Sequence, residues 1–166
     1  MGRISDEEQM MERRRRTKGI QEPAVDLYLS DSDIREIIQD GNAKLLVETA
    51  QRIGEVLHEK KLTASAIRSF LGMLRKIEVF ARTKDGKLSE EAYRELIFLK
   101  PMLAYQAQRY RENHRSDALS TLQRVLVPAI DSIGRDLQAF RNFLKFFEAI
   151  IAYHKAAAGG WAEKEI

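Results

Sequence analysis

Residues 140–155, FRNFLKFFEAIIAYHK, constrain the fold more than any other stretch. Phe140, Phe143, Leu144, Phe147, Ile150 and Ile151 recur at helical spacing, and Phe146, Ala149 and Tyr153 widen the stripe well beyond that of a surface helix. The charged residues that interrupt it are only Arg141, Lys145, Glu148 and Lys155, and their spacing gathers them near one narrow strip. A helix this apolar needs neighbours on most sides. It therefore predicts the centre of an all-helical core, stopped by Gly159-Gly160 in the manner of a glycine C-cap. About chemistry it says nothing.

The rest of the chain agrees with that centre. Nine glycines and three prolines in 166 residues favour helix over a turn-rich β fold. Ser30 or Ser32, Asn42, Thr63 and Ser89 each stand where a side chain can cap a helix start. The helix from Asn42 runs to about Lys60, with Leu45, Leu46, Ala50, Ile53, Val56 and Leu57 as its buried stripe. The next covers Ala64 to about Arg82, with Ile67, Phe70, Leu71, Leu74, Ile77 and Ala81 inward. After a turn over residues 84–87, Tyr93, Leu96, Ile97 and Leu103 face inward on a helix that Pro101 should end or kink. Leu119, Leu122, Leu126, Ala129, Ile130 and Ile133 line the following helix. It either bends into residues 140–155 or is separated from them by a turn at Gly134.

The expected architecture is all-α, a compact bundle of about five or six helices. Residues 31–160 form one domain, after a flexible charged N-terminal arm over 1–30 and before a short tail over 161–166. Arg13 to Arg16 run together in that arm, and they suit a phosphate backbone, an acidic partner or plain solvation equally.

Several function classes drop out. The absence of cysteine excludes disulfides and cysteine-based metal or thiol chemistry. His58, His114 and His154 lack paired-ligand spacing, and the isolated glycines make no phosphate loop. No metal, cofactor or catalytic residue is expected, so the chain does not read as an enzyme. Glu148, on an otherwise apolar helix, calls for Lys145 or an arginine from elsewhere. No apolar run approaches the ~20 residues of a membrane span. A cytoplasmic location suits this composition.

The informative polar pattern lies on the helix after Thr63. Arg68, Arg75 and Arg82 are spaced seven residues apart. At a rise of ~1.5 Å per residue they recur every ~10 Å along one edge. Lys76, Lys100 and Arg109 add to them, and Gly72 within the stripe lets another backbone approach closely. Such cations hold phosphates without reading bases. The bland reading is that every soluble helix has a charged side. A net charge of +3 does not decide between the two.

Three segments carry a resemblance: LTASAIRSF (62–70), LIFLKPMLAYQAQR (96–109) and FFEAIIAYHKAAAGG (146–160). In order and spacing they resemble the small helical subunit of type III-A CRISPR effector complexes, the Csm small subunit. The resemblance implies a non-enzymatic RNA-binding protein of antiviral defence. Copies would stack as a filament beside guide-bound backbone subunits and the large subunit, holding guide RNA–target RNA through the sugar-phosphate backbone. By position, Arg68 matches the arginine of the family's T-x-x-x-[IL]-R segment, and Lys100 and Arg109 match the basic positions of its L-K-P to A-Y-x-x-x-R tract. Arg75 and Lys76 fall in its basic helix. Gln108 stands where the family often has glycine, and nothing before about Lys60 matches a motif.

The expected RNA contacts are therefore Arg68, Arg75, Lys76, Lys100 and Arg109, with Arg82 and Arg111 as additional ones and Tyr105 as packing support. The alternative is a helical adaptor whose basic stripe binds an acidic protein.

Overall fold

The computed structural model describes residues 5–9, 27–81, 83 and 85–159. Four helices begin where a short polar side chain accepts an otherwise orphaned backbone N–H. Ser30 Oγ accepts from Asp33 N at 3.1 Å to open α1 (Asp31–Ile38), and Asn42 Oδ1 accepts from Leu45 N at 3.1 Å to open α2 (Ala43–Glu59). Thr63 caps α3 (Ala64–Phe80) through Ala66 N, and Ser89 caps α4 (Glu90–His114) through Ala92 N. Then come α5 (Ala118–Ile133) and α6 (Leu137–Gly159). Among the described residues there is no strand, only an isolated bridge between Lys87 and Asp136. Residues 6–9 add a single helical turn.

The apolar stretch of α6 sits at the centre. It packs against α1, α2, α3 and α5, with α2 its main neighbour. Phe140, Phe143, Phe146, Phe147 and Ile150 are fully enclosed. Phe147 meets Phe70 of α3 edge-on, ring centroids 5.1 Å apart, an arrangement worth ~0.5–1.5 kcal/mol beyond area burial. Close approach of α2 is possible because Gly54 presents no side chain. A Cβ there would lie 2.7 Å from the backbone N of His154. The buried polar groups on this seam are satisfied: His154 Nε2 donates to the Leu62 carbonyl at 2.8 Å, and Asn142 Nδ2 donates to the Ile38 carbonyl at 2.9 Å.

Three expectations change. Pro101 does not end its helix, because α4 runs unbroken from Glu90 to His114. The carbonyl deprived of its partner is that of Ile97, which is exposed, so water can satisfy it. Ile97 itself does not face inward but is 38% exposed, since among the described helices α4 has only α3 and α5 as neighbours. The rod-or-turn alternative resolves as a turn. Gly134 adopts φ +57°, and Asp136 Oδ2 accepts from Ala139 N at 2.8 Å to start α6 afresh. Arg13–Arg16, Arg82, Gly160 and the tail 161–166 lie outside the described residues.

Candidate functional site

Because α3 buries Ile67, Phe70, Leu74 and Ile77 on one side, its 3.6-residue period turns Arg68, Gly72 and Arg75 outward together. Lys76 is exposed beside them. Among the described residues neither Arg68 nor Lys76 has an ion-pair partner. Arg75 differs. It bridges Glu78 on its own helix at 3.0 Å and Glu148 on α6 at 2.5 Å, so the partner Glu148 requires is an arginine from another helix. The hydrogen bond that Arg75 donates to Glu78, then the charge of Glu148, raise the Arg75 pKa above the ordinary arginine value. A phosphate at Arg75 must compete with two carboxylates.

The two α4 cations of the motif tract, Lys100 and Arg109, do not act together. Lys100 and Arg109 are nine residues apart, and at about 100° per residue that puts them on opposite sides of the helix. Lys100 turns to α5 and pairs with Asp131. Arg109 turns to α3 and lines a groove of about 380 Å³ with Ser65, Ser69 and Gln106. Arg111 lies on the Lys100 side, donating to Ser120 of α5 at 3.3 Å. The expected set therefore divides. Arg68, Arg75, Lys76 and Arg109 belong to α3 and its borders, while Lys100 and Arg111 border α5.

Tyr105, expected as packing support, is largely exposed, at 66%, and continues a strip with Phe98, 60% exposed, and Met102 along the outer side of α4. Their spacing, i, i+4 and i+7, is a helical face with no neighbouring helix among the described residues. The sequence carried that spacing, but the partner of each α4 side was needed to see that this one is open. On α6 the strip of Arg141, Lys145 and Lys155 is likewise exposed, next to Glu148.

Among the described residues no three histidine or carboxylate side chains come within metal-holding reach of one another. His58 and His154, on α2 and α6, meet edge-on at 6.2 Å, yet His154 is committed to Leu62. Burial, first, and the neighbouring His58 lower the His154 pKa below the usual imidazole value, against the opposing effect of the Leu62 hydrogen bond. No helix among the described residues is long and apolar enough to cross a membrane.

No curated protein and no solved structure matches the chain. The family model described as Csm2 Type III-A matches residues 40–160, which takes in every helix from α2 to α6 and leaves out α1. The chain thus belongs to the Csm2 family, the small subunit of type III-A CRISPR Csm complexes.

Proposed function

We propose that this subunit holds the target strand of a guide RNA–target RNA duplex, within the Csm complex, by sequence-independent contacts to phosphates. The observation that carries the reading is the outer strip of α3. Among the described residues Arg68 and Lys76 stand exposed and without carboxylate partners there, and Gly72 between them faces open space, with no described neighbouring atom within 4 Å of where a Cβ would be. Arg109 extends the strip across the groove to α4. Arg75 joins by exchanging its carboxylates for phosphate, and Lys100 could join only by leaving Asp131. Arg82, expected as an additional contact, lies outside the described residues. Phosphate contact suffices, because base pairing to the guide already reads the target.

The subunit does no cutting. It positions RNA for other subunits, with backbone and large subunits as its protein partners. Copies stack along a filament, and the exposed Phe98–Met102–Tyr105 strip supplies apolar area for a neighbouring copy. The complex works in the cytoplasm in antiviral defence.

The test is RNA binding by the full chain over a salt series. Arg68→Glu with Arg109→Glu should weaken binding to all sequences alike, about tenfold or more, and flatten the slope of log affinity against log salt. Glu148→Gln should act in the opposite sense, strengthening binding severalfold by releasing Arg75. An unchanged salt slope would sink the assignment of these residues. Absence of RNA binding at low salt, together with one acidic protein partner, would replace it with an adaptor role.

A further inference from the structure

A cavity of about 720 Å³ lies where the α2–α3 turn meets the α4–α5 turn. Both turns place a non-glycine residue in the left-handed region, Lys61 at φ +64° and Arg115 at φ +50°. That conformation is uncommon for side chains of this size. It is held here by a polar hub. Tyr110 Oη donates to the Lys61 carbonyl at 2.9 Å and accepts from Thr63 N at 3.2 Å. Ser116 Oγ donates to the Lys60 carbonyl at 2.7 Å, and Lys60 Nζ bonds both carboxylate oxygens of Asp117 at 3.0 Å.

The hub leaves an uneven charge. Lys60 and Asp117 neutralise each other, which also keeps the Asp117 carboxyl below its usual pKa. Lys61, Arg111 and Arg115 remain exposed around the cavity, without ion-pair partners among the described residues. Against their three charges stands one unpaired acid, Glu59.

His114 adds an aromatic floor. Its ring stacks on the buried Tyr110 ring, centroids 4.2 Å apart and planes 26° apart, while the residue itself is exposed. One face is therefore backed by a fixed ring and the other is available. His114 lines both this cavity and the Arg109 groove, so the two share it as a wall.

We infer that this corner binds an unpaired RNA nucleotide, its base stacked on His114 and its phosphate held by Lys61, Arg111 and Arg115. The inference rests on the RNA-holding function proposed above and adds a stacking subsite to it. An unpaired nucleotide fits better than duplex, because a base inside a helix cannot offer its face to an aromatic ring. The aromatic platform is also what separates this corner from a site for acidic peptides, which needs cations alone.

The full chain titrated with a short single-stranded RNA carrying 2-aminopurine gives a direct readout, since stacking quenches its fluorescence. Quenching is expected with the natural chain and with His114→Phe, and is lost with His114→Ala. Arg111→Glu should weaken binding on the order of tenfold. Arg68→Glu should lower affinity yet leave the quenching at saturating RNA intact. Thermal melts followed by circular dichroism establish that each variant is folded. RNA bound with the same quenching in His114→Ala, or with none in the natural chain, overturns the subsite and leaves the phosphate-holding function standing. No RNA binding at low salt overturns both and assigns the corner to an acidic protein segment.

Discussion

Two glycines inside helices mark two regions built on different terms. Gly54 of α2 lies against α6, where a Cβ would be 2.7 Å from both the His154 backbone N and the Tyr153 Cβ. Gly72 of α3 faces outward, and a Cβ there would touch nothing within 4 Å. Each forgoes ~1 kcal/mol of helix propensity relative to alanine. At Gly54 the close packing of α2 on α6 offsets that cost. At Gly72 no described atom of the chain does. The α2–α6 seam is thus specified by the fold itself, whereas the α3 strip carries a residue that the fold does not require. The difference directs attention to something outside the chain at the second site.

The largest effect should come from filling the first glycine. Gly54→Ala pushes a methyl group into backbone, which cannot swing aside as a flexible side chain would. Overpacking of this kind costs roughly 2–3 kcal/mol. Urea unfolding should show the loss as a lower midpoint, while the folded fraction keeps its affinity for RNA. If Gly54→Ala is neutral, α2 and α6 are not pressed together as the seam requires.

The same seam carries a gentler dependence on pH. His154 is buried there with its pKa below the ordinary value, chiefly because burial disfavours the charged ring. The unfolded chain, with an ordinary imidazole near pH ~6.5, then binds more protons than the native one as the medium turns acidic. Stability should be full above about pH 6.5 and decline as pH falls below it toward the lowered native pKa. His154→Gln, which can still donate to the Leu62 carbonyl, should flatten the decline in melts from pH 7 to 5. A decline of the same steepness in this variant would place its origin elsewhere.

Much of the seam was legible in the sequence, and much less of the α3 strip. Caps at Ser30, Asn42, Thr63 and Ser89 depend on neighbours three residues away, so local spacing reveals them. The apolar stripe of α6 is likewise local. Ile97 was misplaced because inward and outward depend on which helices flank α4, and only the tertiary arrangement supplies that. The separation of Lys100 from Arg109 was available from their nine-residue spacing, but the shared motif tract suggested one patch. Asp131, which occupies Lys100, comes from another helix and had no sequence signal as that partner. Glu148 called for Lys145 or an arginine from elsewhere, without its spacing singling out Arg75. The cationic corner is built from two turns distant in sequence. Lys61 and Arg115 meet only when Tyr110 and Ser116 tie those turns together.

Filling the second glycine should produce the smallest change in folding, and one of opposite sign. Gly72→Ala meets open space at ordinary helical geometry, so it should stabilise the chain by about 1 kcal/mol through lower unfolded-state entropy and better propensity. Binding should move the other way. A methyl group between Arg68 and Lys76 holds a sugar-phosphate backbone off the helix surface, and affinity for RNA should fall severalfold at constant salt slope, because no charge is removed. A tighter fold with weaker binding is the signature of a glycine kept for a partner. If Gly72→Ala stabilises the chain and binds RNA as well as before, no partner approaches at Gly72, and the comparison with Gly54 loses its functional half. Gly72→Leu then sharpens the case. A larger side chain still costs the fold little on this exposed strip, but it should weaken a close-approaching backbone further than alanine does. A graded loss from glycine to alanine to leucine, without loss of stability in step, would measure how closely the strand lies against α3.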